Sequence, residues 1–368
     1  MIRELKIKNI KCFNELNIEL EALNVLAGIN SMGKSTVIQS LLLLRQAYEM
    51  NAIDKGIHLN GDVVTIGSGR DFMNRNSNED CVTMELLVNN KRIFWKYEYD
   101  GSSDYQKIKE TNITMQDISG INLFKSSFSY ISAERLGPQR FYIQSYHKVF
   151  EKNEVGSKGE LFADYLSERG LTDKVTNKMV LHSNCDSDFL IYQTEAWLSE
   201  ISPGIHISPK KYQEAGIIGM EYKVFAEKYS PINIGFGISY VAPIVVSLLK
   251  ATKGDMIILE NPEAHLHPKG QRKMGELIAK AAAGGVQIIV ETHSDHLLNG
   301  IRLAVKNKIL SKINVRLNYF YQEIQEDKKI GRQVIHKKVS PAILDDGRLS
   351  SWPEGFFDEW DKALDELF

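Results

Sequence analysis

The sequence predicts an α/β fold, with a mostly parallel sheet, an antiparallel β subdomain and an inserted helical or mixed lobe. An apolar segment at 23–28 leads through a glycine-rich loop into a long apolar helical pattern. From residue 231 onward, segments typical of strands and helices alternate, which indicates a parallel sheet with helices on its faces. Between 57 and 133, short alternating runs separated by Asn, Gly, Ser and Asp indicate antiparallel strands.

The individual helices and strands are predicted from the spacing of apolar residues and from the residues that bound each segment. Residues 2–20 alternate around Asn14 and Glu15, which predicts a β-hairpin, and an uninterrupted apolar pattern from Ser35 predicts a buried helix. The more polar segment 141–230 contains a helix pattern in GELFADYLSER and a strand pattern in MEYKVFAE. The later predictions are a helix in YVAPIVVSLLKA, a strand in MIILE, a helix after Pro268, a strand in VQIIVE, a helix from Asp295 and a terminal amphipathic helix. The terminal segment is expected to pack on its own core, with presentation of Phe356, Phe357 and Trp360 to a partner as the alternative.

Composition excludes several classes of protein. A chain of 368 residues with 43% hydrophobic and 25% charged residues can bury a large core. Its 45 basic and 47 acidic residues give a formal net charge of −2, so DNA binding is possible but has no overall charge to support it. Three distant cysteines suggest no disulfide framework, and no apolar run approaches the ~20 residues of a membrane span. We therefore expect a cytoplasmic protein with no membrane partner.

The segment GINSMGKS, from Gly28 to Ser35, matches the phosphate-binding pattern GxxxxGK[ST] in full. It lies between an apolar strand and a helix, as phosphate binding at a helix N-terminus requires. Lys34 would place a cation on the β and γ phosphates, and Ser35 would ligate Mg²⁺. The predicted nucleotide-binding residues of this loop are Gly28, Asn30, Ser31, Gly33, Lys34, Ser35 and Thr36.

A second candidate functional segment is DMIILENPE, which is predicted to form an apolar strand that ends in Glu260. Open α/β sheets place ligands at the carboxyl ends of their strands, so Glu260 is the natural partner of a hydrated Mg²⁺. Taken alone, the acid is better explained as a solvated strand end. The glycine-containing NIGFGIS precedes this strand, and IIVETHS, another apolar strand reaching His293, follows it.

With these motifs in this order, the chain resembles the ABC-type ATPase heads, which are P-loop NTPases. It is more closely similar to bacterial ATPases of the AAA family, with RecF/SMC-like heads, related to the ATPase half of overcoming-lysogenisation-defect nucleases. The motifs shared with one subgroup are IENPEAHLHP, present here as LENPEAHLHP, together with ETHSDH, GFGxS and a C-terminal WPEGFF. The resemblance implies one half of the head at 1–140 with the Walker A loop, a lobe at 141–230, and the other half at 231–368.

The resemblance also implies roles for single residues and for partners. Glu260 would be the Walker B acid, and His293 the switch histidine that senses the γ-phosphate. Gly237 and Ser239 would belong to a degenerate signature that caps the ATP of a partner subunit. ATP and Mg²⁺ are therefore the expected ligands, and a homodimer or a higher homo-oligomer the expected assembly.

Asn261 departs from the ABC-type pattern, which has at this position a glutamate that polarises the attacking water. An amide is no useful base, although it can orient water. Glu263, two residues on, can substitute as a base because it supplies a carboxylate. Alternatively, Asn261 serves a turn before Pro262. Both explanations stay open here, and slow hydrolysis is expected.

Two further segments allow alternatives. The first is a transition-metal site built from residues of HLHP and THSDH with Glu263, a set comprising His265, His267, His293, Asp295, His296 and Glu263. The second is ISAERLGPQR, in which Glu134, Arg135 and Arg140 could reach nucleotide or a partner, or form a solvated turn.

The functional expectation is a slow ATPase that dimerises on ATP and acts as the regulatory or sensor subunit of a separate effector. The resemblance implies a role in bacterial anti-phage defence. Two alternatives remain: a nucleotide-gated scaffold with negligible turnover, suggested by Asn261, and a RecF-like ATPase of DNA repair. The catalytic residues expected on the leading hypothesis are Lys34, Glu260, Glu263 and His293.

Overall fold

The computed structural model describes residues 1–327 and 331–367. The helices are α1 Lys34–Glu49, α2 Gly69–Phe72, α3 Met115–Ser119, α4 Phe162–Arg169, α5 Leu190–Ser199, α6 Phe236–Lys250, α7 Pro268–Ala283, α8 Asp295–Lys306 and α9 Glu359–Leu367. The strands are β1 Ile2–Ile10, β2 Phe13–Glu19, β3 Leu23–Gly28, β4 Gly56–His58, β5 Cys81–Val88, β6 Lys91–Glu98, β7 Tyr105–Thr111, β8 Ser129–Ile131, β9 Phe141–Ile143, β10 Ile205–Tyr212, β11 Ile217–Val224, β12 Glu227–Tyr229, β13 Met256–Glu260, β14 Gln287–Glu291, β15 Val315–Asp327 and β16 Gly331–Val339.

The chain divides into two compact units. The first comprises 1–125, 316–342 and 351–368, and the second comprises 126–315 and 343–350. The functional division at residues 140 and 230 remains a prediction.

The first unit contains an antiparallel sheet with the strand order β2-β1-β5-β6-β7-β4. The predicted hairpin is present, but it turns earlier than Asn14, because Ile10 pairs with Phe13 and leaves Lys11 and Cys12 as the loop. Lys11, at φ 48°, has the left-handed backbone that such a turn needs. Alternation of apolar residues predicts the strands but does not locate a turn.

The same unit contains β3, which leads into the phosphate loop, and the antiparallel pair β15 and β16. Phe356 of the C-terminal segment packs here, as expected, whereas the side chains described in α9, from Lys362 to Leu367, are exposed or half-buried. Phe356 is only 1% exposed, with its ring centroid 5.1 Å from that of Tyr319 and 5.5 Å from that of Trp352.

In the second unit, β13 pairs in parallel with both β8 and β14. Met256 to Leu259 are all fully buried, and because successive side chains of a strand point to opposite faces, both faces of β13 are covered; α6 is among the helices that pack against it. Such two-sided burial explains why MIILE lacks the alternation of a half-exposed strand. The strand ends at Glu260, which places this carboxylate at the C-terminal edge of the parallel strands.

The second unit also contains an antiparallel sheet formed by β9 to β12. One edge of β11 pairs with β10, and its other edge pairs with β12 and, further along, with β9. Helices α4 and α5 pack against β10. Helix α4 and strand β11 follow the predicted patterns, whereas α5 and β10 carry no sequence prediction. Among the described residues, no helix combines the length and the apolar character needed to cross a membrane.

Candidate nucleotide site

The phosphate loop depends on glycine at two positions. Gly28 has φ 136° and Gly33 has φ 99°, conformations that L side chains rarely adopt. A β-carbon at Gly28 would lie 2.4 Å from the carbonyl oxygen of Phe320, and one at Gly33 would lie 2.3 Å from Cζ of Phe13. Backbone strain and steric exclusion therefore both require the glycines of the motif.

The lysine of the loop is turned inward. Lys34 is 3% exposed, and its Nζ donates hydrogen bonds to the carbonyl oxygens of Gly28 at 2.7 Å and Ile29 at 2.9 Å. Helix α1 begins at this lysine, with Gly33 as its N-cap. The loop thus surrounds a cation next to a helix N-terminus, and both features attract phosphate.

The other predicted loop residues differ in exposure. Asn30, Ser31 and Ser35 are exposed, whereas Thr36 is 6% exposed. The hydroxyl of Thr36 lies 3.8 Å from Sγ of Cys12. Thr36 thereby joins the start of α1 to the β1–β2 turn.

A cavity of about 530 Å³ lies beside this turn within the first unit. Its lining is mainly polar and basic, and includes Lys11, Cys12, Arg70, Asn74, Arg75 and His336. Burial lowers the pKa of the Lys11 amine, whose Nζ donates to Oε1 of Gln39 at 2.7 Å. Local sequence patterns do not reveal this cavity, because its walls come from three separate segments, none of which carries a motif.

In the second unit, the carboxylate of Glu260 is held at both oxygens. Oε1 accepts a hydrogen bond from the hydroxyl of Tyr130 at 3.3 Å, and Oε2 accepts one from the backbone N–H of Ala133 at 3.0 Å. Burial raises the pKa of Glu260, and the Ala133 and Tyr130 hydrogen bonds oppose that rise. The strand end predicted from sequence is therefore a positioned carboxylate and not a freely solvated one.

Arg135 fastens the segment after β8 to the turn after β13. It is 4% exposed, and its guanidinium donates to the carbonyl oxygens of Ser132 at 2.6 Å, Glu260 at 2.7 Å and Asn261 at 2.7 Å. The same guanidinium lies 5.3 Å from the ring centroid of Tyr240. Arg135 is therefore neither part of a solvated turn nor directed outward, as ISAERLGPQR allowed. It stabilises the turn formed by Glu260 and Asn261, called the acidic turn below.

Asn261 has a left-handed backbone, with φ 44°. Asparagine adopts this region more readily than most residues other than glycine. Its N–H donates to the carbonyl oxygen of Glu291 at 2.9 Å, and its own carbonyl oxygen accepts from Arg135. The conformation therefore favours the turn explanation for Asn261.

Glu263 connects two of the motifs. Its Oε1 accepts a hydrogen bond from the backbone N–H of His293 at 2.7 Å, and the residue is 9% exposed. Burial raises the pKa of its carboxyl group, an effect that the hydrogen bond from His293 opposes. Oε2 is buried and has no hydrogen-bond partner among the described residues. A desolvated carboxylate with one oxygen uncommitted is suited to accept a proton.

The GFGIS segment forms the first turn of α6, which begins at Phe236. A β-carbon at Gly237 would lie 2.8 Å from the carbonyl oxygen of His265, so glycine permits this close approach. Phe236 is 57% exposed, whereas Ser239 is 1% exposed. Contact of Gly237 and Ser239 with the ATP of a partner subunit remains a prediction.

The alternative of a transition-metal site gains no support from the geometry. His267 accepts a hydrogen bond from the N–H of Lys269 as the N-cap of α7, and the ring of His265 packs 4.6 Å from that of Tyr240. Within 1–327 and 331–367, no three His, Cys, Asp or Glu residues are grouped in a way that could hold a metal ion.

Three family models match parts of this chain. A family model described as an AAA ATPase domain matches residues 1–184, which is half of the chain. The chain belongs to the AAA ATPase domain family. Residues 218–299 match an AAA domain model whose description names an AbiEii toxin of a type IV TA system. Residues 311–367 match a family of proteins of unknown function, and a search among curated proteins gives no match.

Solved structures show the same fold. One is an SMC head bound to the C-winged helix domain of ScpA, with 13% identity, a TM-score of 0.51, and coverage of 93% of this chain and 98% of that chain. Another is an SMC head with an extended coiled coil bound to the C-terminal domain of ScpA, from Pyrococcus furiosus. It has 12% identity, a TM-score of 0.51, and coverage of 100% and 99%. The predicted α/β head fold of a P-loop ATPase is confirmed, and the AAA ATPase family supports ATP binding and hydrolysis as the general activity.

Proposed function

We propose that this protein is a slow ATPase of the head type that dimerises on ATP and regulates a separate effector. The observation that carries the proposal is the complete phosphate loop, in which Lys34 lies inside a cradle that only glycines at 28 and 33 allow.

The other candidate residues have separate proposed roles in metal binding and hydrolysis. Ser35 and Glu260 offer hydroxyl and carboxylate oxygens, the donors that Mg²⁺ prefers, and both are proposed ligands. The chemistry that Mg²⁺ supplies when bound is neutralisation of phosphate charge. Glu263 accepts the proton of the attacking water, and His293, whose amide is fastened to Glu263, responds to the γ-phosphate.

Dimerisation and a separate partner are proposed on the fold. Two similar SMC heads are each bound to a domain of ScpA, which supports a head that works on another protein. In the dimer, Gly237 and Ser239 would approach the nucleotide of the second subunit, with the exposed Phe236 beside them. A cytoplasmic role in anti-phage defence, within the overcoming-lysogenisation-defect-related group, is part of this proposal through the sequence resemblance.

A nucleotide-gated scaffold with negligible turnover is the second candidate. It is favoured by Asn261, which occupies the position of the usual catalytic acid and has a backbone conformation suited to asparagine. In that case ATP binding alone would drive assembly, and phosphate release would await the partner. A RecF-like role in DNA repair remains an alternative of the same fold.

The deciding experiment measures phosphate release with Mg²⁺, ATP binding and solution mass on wild type, Lys34→Ala and Lys55→Ala. Lys55 is an exposed lysine outside the loop and serves as the matched control. An ATPase predicts turnover and an ATP-dependent mass increase in wild type and Lys55→Ala, both lost in Lys34→Ala. A scaffold predicts the mass change without phosphate release. ATP binding that survives Lys34→Ala unchanged contradicts both candidates.

A further inference from the structure

The antiparallel sheet of the second unit has one buried face and one exposed face. Ile207, Ile218 and Tyr222 lie on the buried face, which α4 and α5 cover. The register of β9, β10, β11 and β12 places a different set of side chains on the exposed face. That set contains Phe141, Ile143, Lys210, Tyr212, Glu221, Lys223 and Lys228, and is called the aromatic-basic face below.

Two aromatic rings are presented on this face. Phe141 is 50% exposed and Tyr212 is 39% exposed, and their ring centroids lie 5.8 Å apart in an edge-to-face arrangement. Gly219 lies between them in the sheet, and a β-carbon there would be 3.0 Å from the Tyr212 ring. The absence of a side chain at Gly219 thus leaves space over the sheet for the tyrosine ring.

A hollow of about 320 Å³ opens beside the rings. Its lining includes Phe141, Tyr212 and Tyr229, and three basic residues, Arg140, Lys210 and Lys228. The Nζ of Lys210 lies 5.5 Å from the ring centroid of Tyr212. Aromatic surface and cations are therefore adjacent within a single concavity.

The charge of this face differs from that of the whole chain. The chain has a formal net charge of −2, whereas the face and its hollow carry Arg140, Lys210, Lys223 and Lys228 against Glu221. Glu221 lies 3.7 Å from Lys228, in an exposed ion pair. Among the described residues, Arg140, Lys210 and Lys223 have no acidic partner within ion-pair distance. Positive charge is therefore in excess on this face, because three of its four basic residues are not paired with an acid.

We propose that the aromatic-basic face binds single-stranded nucleic acid. Exposed rings stack on unpaired bases, and neighbouring cations contact the backbone phosphates, which is the combination that single strands require. A duplex hides its bases from such rings, so the rings would add nothing to its binding. The proposal concerns a surface of the second unit and does not depend on ATP hydrolysis.

The test uses fluorescence anisotropy with labelled oligo(dT) and oligo(U) of about 15 nucleotides, and a duplex of equal length, on the full chain. The variants are Phe141→Ala with Tyr212→Ala, and Lys210→Ala with Lys223→Ala. Tyr192→Ala, an exposed aromatic on α5, and Lys211→Ala, on the opposite face of β10, are the matched controls. Circular dichroism and ATP binding establish that each variant is folded.

Wild type is expected to bind single strands more tightly than duplex, with an affinity that falls between about 50 and about 200 mM salt. The aromatic variant should lose about tenfold or more at every salt concentration. The lysine variant should also flatten the slope of log K against log salt by about 0.7 for each phosphate contact removed. Tyr192→Ala and Lys211→Ala should bind as wild type. The oligo(dT) and oligo(U) arms distinguish DNA from RNA as the source of the strand.

Several outcomes would overturn the proposal. They are absence of binding by wild type, equal binding of duplex, and an aromatic variant that binds as wild type. Displacement of the oligonucleotide by poly-glutamate, combined with no effect of the ring substitutions, would assign the face to acidic protein instead. Loss of oligonucleotide binding in Lys34→Ala would assign it to the phosphate loop. Retained binding in that variant separates this inference from the proposed ATPase function.

Discussion

The phosphate loop and the acidic turn at Glu260 are built in different ways. The loop is a contiguous segment whose shape is imposed by glycines at 28 and 33 and whose lysine bonds to its own carbonyl groups. The acidic turn is assembled from segments far apart in the chain, with Tyr130, Ala133 and Arg135 holding residues 260 and 261. One contiguous motif can therefore encode a phosphate-binding loop, whereas a positioned carboxylate requires hydrogen bonds from residues distant in the sequence.

The largest expected effect on turnover comes from a substitution close to the acidic turn, at Glu263. Glu263→Gln should reduce phosphate release by about 10²-fold or more while ATP binding is retained, because an amide cannot accept the proton of water. In wild type, the rate should fall as the pH decreases through the raised pKa of Glu263, since only the deprotonated form acts as a base. A pH profile of phosphate release checks this.

The matched control for that substitution is Glu134→Gln, because Glu134 is an exposed carboxylate whose side chain is 81% accessible. It should leave both the rate and the pH profile unchanged. Full turnover in Glu263→Gln would remove Glu263 as the base and favour the scaffold.

The next largest effect is expected from a substitution in the phosphate loop. Gly33→Ala places a β-carbon 2.3 Å from the ring of Phe13 at φ 99°, so ATP binding should weaken by about tenfold or more, and the unfolding free energy should fall by about 1–3 kcal/mol. Titration with a fluorescent ATP analogue and urea denaturation measure the two quantities. Gly120→Ala is the control, because its nearest neighbour is 3.7 Å away. Equal behaviour of the two variants would show that the loop does not need its glycine.

A smaller effect is expected from Arg135→Lys. A lysine keeps the charge but cannot reproduce the three hydrogen bonds of the guanidinium, so buried carbonyl groups are left without donors, at a cost of about 1–3 kcal/mol. Phosphate release should fall several-fold while ATP binding changes little. Arg348→Lys, at an exposed arginine, is the comparison for both assays. A loss of ATP binding equal to the loss of turnover would contradict a role confined to the acidic turn.

The smallest effect is expected at Asn261. If Asn261 serves to adopt the left-handed backbone of the turn, phosphate release by Asn261→Gly should stay within about twofold of the wild-type rate, because glycine adopts that conformation readily. Asn261→Val should destabilise the turn, since a β-branched residue is strongly disfavoured there. A large loss of turnover in Asn261→Gly, with the fold intact, would instead show that the amide orients water.

The difference between the two regions also explains what the sequence could predict. GxxxxGK[ST] and the strand MIILE depend on local spacing and burial, so the loop, β13 and the helix from Pro268 were predicted correctly. The hydrogen bond from Tyr130 to Glu260 and the anchoring by Arg135 depend on strand pairing between β8 and β13, which local patterns do not specify. The basic cavity at Lys11 and the aromatic-basic face were missed for the same reason. The roles of Gly237, Ser239 and His293 remain predictions.

The close approach of Gly28 to Phe320 has a consequence for biosynthesis. The carbonyl oxygen that excludes a side chain at residue 28 belongs to a strand that the ribosome adds almost 300 residues later. Contacts between segments so far apart in sequence form late, because a long stretch of chain must be ordered before they are gained. We therefore expect the phosphate loop to be synthesised among the first segments and to acquire its native support among the last. Nascent chains stalled before β15 should consequently bind no ATP, which a ribosome-bound nucleotide assay can test.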